Sequence, residues 1–134
     1  MRIVKRVLLC ALVTFAAGCA VKGTVIDRTQ HTSNISAMRL SRHDALRIFC
    51  GGAKREVPLK AVRMVKIDAT QTTSVDGELY LGAEVEFRDG TRVGALESEN
   101  GCFISAENEL VGKSSKGSYS ITFDNIVSFS VGKQ

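Results

Sequence analysis

Between Glu78 and Arg88 the chain alternates without a break. Leu79, Leu81, Ala83, Val85 and Phe87 are apolar, and Glu78, Tyr80, Gly82, Glu84, Glu86 and Arg88 stand between them. A period of two is the spacing of a pleated strand with one face buried, because neighbouring side chains point to opposite faces. Asp89-Gly90 follows at once and supplies a tight turn, and Thr91, Val93 and Ala95 continue the alternation on a return strand. The spacing predicts a β-hairpin over residues 80–97. Its core face would carry Leu81, Val85, Phe87 and Val93, with Glu84, Glu86 and Arg92 in solvent.

The same pattern recurs elsewhere. Residues 102–105, 110–112, 118–123 and 126–131 read as further strands separated by glycine and polar residues. Val62, Met64 with Val65, and Ile67 alternate more loosely with Arg63 and Lys66. The one proline, Pro58, suits a strand edge. Ser41-Arg-His-Asp44 resembles a helix-capping box, but few residues follow before a β-branched and aromatic run, so one helical turn at most is expected.

An internal echo runs at an offset of 64. Val57, Leu59, Val62, Val65 and Ile67 line up with Ile121, Phe123, Ile126, Phe129 and Val131. Leu40 with Ile104 and Leu46 with Leu110 extend it upstream. Each copy would hold strands broken by a sharp bend, at Lys60-Ala61 or Asp124-Asn125. Two copies and the central hairpin predict an all-β domain. The expected form is a small antiparallel sandwich or closed barrel of roughly eight strands with a possible internal duplication.

Ahead of this domain stands a different kind of segment. Arg2, Lys5 and Arg6 form a cationic head, an apolar run covers residues 7–15, and Ala16-Ala17-Gly18-Cys19 closes it. That order is the layout of a secretory signal. The uncharged run is too short to cross a hydrocarbon core, which takes about 20 residues. Ala16-Ala17-Gly18-Cys19 resembles a lipobox, the cleavage signal of bacterial lipoproteins, with Ala16 where leucine is usual. The resemblance implies cleavage before Cys19, lipid on its sulfur, and anchorage by two or more acyl chains. Ala20 in place of aspartate after the cysteine favours the outer membrane, facing the periplasm. The expected organisation is a signal over 1–18, the lipidated Cys19 with a flexible tether to residue 34, and a β domain over 35–134. Residues 23–26 offer an edge strand as the alternative within the tether.

Removal of the signal leaves 116 of the 134 residues. Cys10 goes with it and Cys19 carries lipid, so Cys50 and Cys102 remain in an oxidising compartment and are expected to form a disulfide. Neither they nor a histidine show paired-ligand spacing, and no metal is expected. Fifteen basic residues then face fourteen acidic ones, which removes the case for nucleic-acid binding. The charge is uneven, at +7 over residues 22–66 and −6 over residues 67–134. The halves either neutralise each other or present a basic patch to a partner. For the patch, Arg39, Arg42, Arg47, Lys54 and Arg55 are the candidate contact residues.

No motif assembles a catalytic group. Gly112-Lys113-Ser114 looks like the end of a phosphate-binding loop, but Glu107 stands where the first glycine belongs and no helix pattern follows. Ser41, His43 and Asp44 are too close in sequence to converge on a pocket, and His31 lies in the expected tether. Glu84 and Glu86 share the solvent face of their strand. Tyr80 and Tyr119 are the only tyrosines, and tryptophan is absent, so a stacking platform for sugars or bases is poorly supplied. No cofactor or small-molecule substrate is expected. The order of Ser98-Glu-Asn-Gly101 and Lys116-Gly117 resembles that in small periplasmic lipoproteins that inhibit lysozyme. Those are disulfide-bonded β-barrels with a Ser-containing, Gly-rich stretch and a later lysine. Their intervening aromatic residues are missing here, and no binding residue is carried over. The expectation is a non-enzymatic, lipid-anchored envelope protein that contacts another envelope protein. An inhibitor of an envelope hydrolase is the alternative.

Overall fold

The computed structural model describes residues 21–94 and 101–132. The signal, Cys19, the end of the expected return strand and Ser98 lie outside the described residues. Eleven strands follow one another: β1 (Val21–Asp27), β2 (Thr32–Leu40), β3 (Leu46–Cys50), β4 (Ala53–Val57), β5 (Val62–Val75), β6 (Glu78–Phe87), β7 (Arg92–Val93), β8 (Cys102–Ser105), β9 (Glu109–Ser114), β10 (Gly117–Thr122) and β11 (Ile126–Val131). Single 3-10 turns at Leu59–Ala61 and Phe123–Asn125 precede β5 and β11. The described residues contain no α-helix, and residues 41–45 form bends only. All strand pairs are antiparallel, in the order β10-β9-β2-β1-β11-β5-β6-β8-β3-β4, with β7 beside β6. The end strands do not pair, so the sheet is not closed.

The order reads as two five-stranded meanders joined where β11 meets β5. That junction pairs Ser128 with Lys66, Phe129 with Val65, and Ser130 with Met64. Phe129 is the echo of Val65 at the offset of 64, so equivalent residues face each other and their neighbours exchange. A local two-fold axis therefore passes through this pair. The rest obeys it. Val25 pairs with Phe129 as Val85 pairs with Val65, and both ladders slip by one residue at the same place. Leu46 opposite Val57 matches Leu110 opposite Ile121. Arg28 donates its backbone N–H to Asn125 and its Nε to Asp124. Arg88 does the same to Ala61 and, at 2.9 Å, to Lys60. Each arginine thus ties a hairpin turn to a 3-10 turn, whose carbonyls would otherwise be unpaired.

The copies are interleaved. Hairpin β3–β4 packs on β8, from the second copy, and hairpin β9–β10 packs on β2, from the first. The expected core residues Leu59, Val62, Leu81, Val85, Phe123, Ile126 and Phe129 are buried, while Phe87 and Val93 are half-buried. Phe123 and Phe129 meet at 5.9 Å between ring centres.

Three sequence expectations need correction. Residues 21–34 form β1, the turn after it and the start of β2, with Val25 fully buried, and are no tether. Leu79 is 47% exposed and Tyr80 is buried, the reverse of the alternation. At this end β5 carries three extra residues between Asp68 and Thr72 opposite Gly82-Leu81, and Gln71 folds over Gly82. The strand is covered on both faces there, and Phe49 packs its ring edge on Tyr80 at 6.2 Å. Glu84 and Glu86 are half-buried in ion pairs with Lys66, Arg63 and Arg92.

Candidate functional site

Cys50 and Cys102 are directly opposite across β3 and β8 and form a disulfide, with 4.4 Å between their Cα atoms. This spacing is that of a non-hydrogen-bonded antiparallel pair, where side chains approach closely. The bond staples the first copy to the second and takes both thiols out of any metal chemistry.

The charge asymmetry is used largely inside the fold. Of the six ion pairs among the described residues, four join the basic half to the acidic half: Arg47–Glu78, Lys54–Asp76, Arg63–Glu86 and Lys66–Glu84. Among the candidate patch residues, Arg47 is thereby bound to Glu78 and also to Glu56, and Lys54 to Asp76. The Asp76 carboxylate holds the Lys54 ammonium above its usual pKa, and Lys54 lowers that of Asp76. Arg39, Arg42 and Arg55 form no ion pair among the described residues and are exposed. Arg39 lies on β2, Arg42 in the following bend, and Arg55 on the edge strand β4. There Lys54, Arg55 and Glu56 keep the open ladder charged, which discourages edge-to-edge pairing.

One polar cluster gathers at the start of β6. His43, Glu78 and Glu107 place one ligand atom each within 4.8 Å of one another. Glu78 is already satisfied: Arg47 donates to both its oxygens, at 3.1 and 3.4 Å, and the buried Ser105 hydroxyl donates to one. A cation seated there would have to displace the guanidinium. Ser105 meets a carboxylate that Arg47 keeps occupied, and it is 1% exposed, so it is no accessible nucleophile. Asn108, also buried, accepts the Arg42 and Glu109 N–H groups on its side-chain carbonyl and so fixes the bend that carries His43. The cluster is a structural joint. Burial, followed by the Glu78 carboxylate, raises the pKa of Tyr80 beside it.

A wide concavity lies elsewhere. A groove of about 710 Å³ opens where β1, β2, β5, β9 and β11 converge. Lys22, Arg63 and Lys113 reach it from three strands, with Met64, Ser114 and Ser130 between them, and no Asp or Glu among the described residues belongs to its lining. Met64 is one of two large apolar side chains left exposed among the described residues. Gly112 explains the phosphate-loop likeness differently. A Cβ there would lie 2.5 Å from Ile35 Cγ2 and 2.7 Å from the Ser36 carbonyl oxygen. Glycine is needed because β2 bulges against β9 at this point.

Sequence reasoning missed this groove. Lys113 sits in a motif rightly read as not a phosphate loop, and Lys22 lies in the expected tether. Only the exchanged strand order brings them to Arg63.

Neither a scan against models of protein families nor a search of characterised proteins finds a match for this chain.

Proposed function

We propose that the chain is a lipid-anchored cell-envelope protein whose β domain serves structure or protein interaction rather than catalysis. The observation that carries this reading is the order of cationic head, apolar run and Ala16-Ala17-Gly18-Cys19. The Cys50–Cys102 disulfide accords with it, because such bonds persist in oxidising compartments and are rare in the cytosol. Processing would leave lipid on Cys19 and, without aspartate at residue 20, favour the outer membrane. Ser105, the side chain closest to a nucleophile, is buried and donates its hydroxyl to Glu78, which supports a non-enzymatic role. Arg39, Arg42 and Arg55 are the free cations of the patch proposed to meet an envelope partner. Inhibition of an envelope hydrolase is the second reading. It is favoured by exposed Lys116 at the tip of hairpin β9–β10, beside the uncharged edge strand β10.

The test is metabolic labelling with palmitate. Wild type should take up label, and Cys19→Ser should remain an unlabelled precursor. Label on the Ser variant, or none on wild type, overturns the anchor.

A further inference from the structure

We infer that the groove of Lys22, Arg63 and Lys113 binds the phosphate of an anionic lipid headgroup in the membrane that holds Cys19. This inference rests on the lipid-anchored reading. Three observations converge on it.

The first is charge. Three cations and several hydroxyls line the groove, with no acid among the described residues that do so. Lys22 and Lys113 form no ion pair among the described residues, and Arg63 is steadied by Glu86 at 3.6 Å and by the Arg88 carbonyl. A basic cluster beside a lipid anchor draws anionic headgroups, at about 1 kcal/mol per cation near the surface.

The second is a comparison within the molecule. The two-fold relation assigns the groove a matching place in the other half of the sheet, and different residue types stand there. Lys113 corresponds to Phe49, Ser114 to Cys50 and Ile35 to Cys102, so an aromatic side chain and a disulfide stand at the matching positions. Lys22 corresponds to Gly82, over which Gln71 folds. β5 runs on through Val75 to provide that cover, past the point that matches Val131. Arg63 corresponds to Val127. All three cations therefore occur at this groove and not at the place that the two-fold relation matches to it. Packing of the duplicated fold does not require them, since the matching place dispenses with them.

The third is position. Val21 opens β1, so a single residue, Ala20, separates it from Cys19. Two residue steps span at most about 7 Å. The headgroup layer on one side of a bilayer is also about 5–8 Å deep. Lys22 and Gly23 form the lip of the groove. Anchored acyl chains would thus hold the groove at headgroup level, with exposed Met64 next to the phosphate.

The test titrates the full chain in neutral detergent with dihexanoyl phosphatidylglycerol, with dihexanoyl phosphatidylcholine and with inorganic phosphate. It follows the backbone amides of residues 22–24 and 113–115 by NMR. Saturable shifts are expected with phosphatidylglycerol and at least tenfold weaker binding with the other two. Lys22→Glu with Lys113→Glu should weaken binding by about 25-fold or more, at roughly fivefold per lysine. Lys22→Gln with Lys113→Gln gives the same direction if the reversed pair fails to fold, and Arg55→Glu should change nothing. Phosphatidylglycerol shifts that survive the lysine substitutions overturn the site. Equal binding of inorganic phosphate overturns the lipid as its occupant. Palmitate labelling of Cys19 is read separately, so loss of the anchor and loss of the groove are distinct results.

Discussion

Replacing Cys50 and Cys102 together by alanine should remove about 4 kcal/mol of stability. The bond closes a loop over a sequence separation of 52. For that length, chain entropy values the restraint on the unfolded state at about 4 kcal/mol. The folded state should change little, because β3 and β8 stay paired through Ile48–Ile104 and Phe49–Phe103. Cys102 is 3% exposed, so its lost sulfur adds a small cavity cost on top. The double substitution avoids an unpaired thiol that could cross-link two molecules. Guanidinium unfolding of the oxidised wild type and the variant measures the difference. The midpoint should fall, and the denaturant slope should rise, because an uncrosslinked chain exposes more surface when unfolded. In heating, the loss corresponds to roughly 15 °C for a domain of this size. A loss under about 1 kcal/mol with an unchanged slope would refute the reasoning. It would mean that the unfolded chain already keeps β3 near β8.

Other substitutions test the packing and the turns. Phe123→Ala should cost about 3–5 kcal/mol in the same assay, since Phe123 is fully buried against Phe129. Glu86→Ala should cost under about 1 kcal/mol, because its pairs with Arg63 and Arg92 are solvent-screened; equal sensitivity at the two sites would contradict the burial pattern. Gly112→Val should cost about 1–3 kcal/mol or more by forcing β2 from β9, whereas Gly51→Ala meets no atom and suffers only from its positive φ. Asp27, Asp68 and Asp89 each accept the hydroxyl and backbone N–H of a threonine two residues on, and these bonds, the hydroxyl first, hold all three pKa values below the ordinary one. A depressed folded pKa gives stability that is complete above the unfolded value of about 4 and lost as pH falls through the folded one. Thermal stability should therefore be flat from about pH 7 to 5 and fall below about pH 4. Replacing Thr29, Thr70 and Thr91 by valine should shrink that acid-induced drop; a drop of unchanged size would assign it to other groups.

Much of the second copy was legible because its strands obey one rule at a time. Residues 102–105 and 126–131, bounded by glycine and polar residues, are strands with those bounds. The echo at 64 was legible over β3–β5 and β9–β11, whose hairpins and 3-10 turns keep one spacing, whereas Val25 matches Val85 and Ile35 matches Cys102 at other offsets. β1 was legible only as the alternative edge strand over residues 23–26, because Val25 is its one buried side chain, between half-covered neighbours, which leaves no periodic signal. Leu79 and Tyr80 were inverted because the cover over Gly82 comes from Gln71, a long-range contact invisible to local pattern. The groove was illegible for a further reason. Spacing reveals that two copies exist but not which copy each hairpin packs upon, and the groove lies at a seam between copies.

That exchange has a consequence for how the chain is born. Val25 finds its ladder partner in Phe129, close to the last described residues, and β2 finds its outer partner in β9. Neither copy is complete on its own. A chain emerging N-terminus first must hold β1 and β2 unsatisfied until nearly all of it has appeared. Contacts this distant in sequence make folding slow and leave exposed edges meanwhile. A break in synthesis or transport at any point before β11 would yield no half-domain, only a chain awaiting its other half.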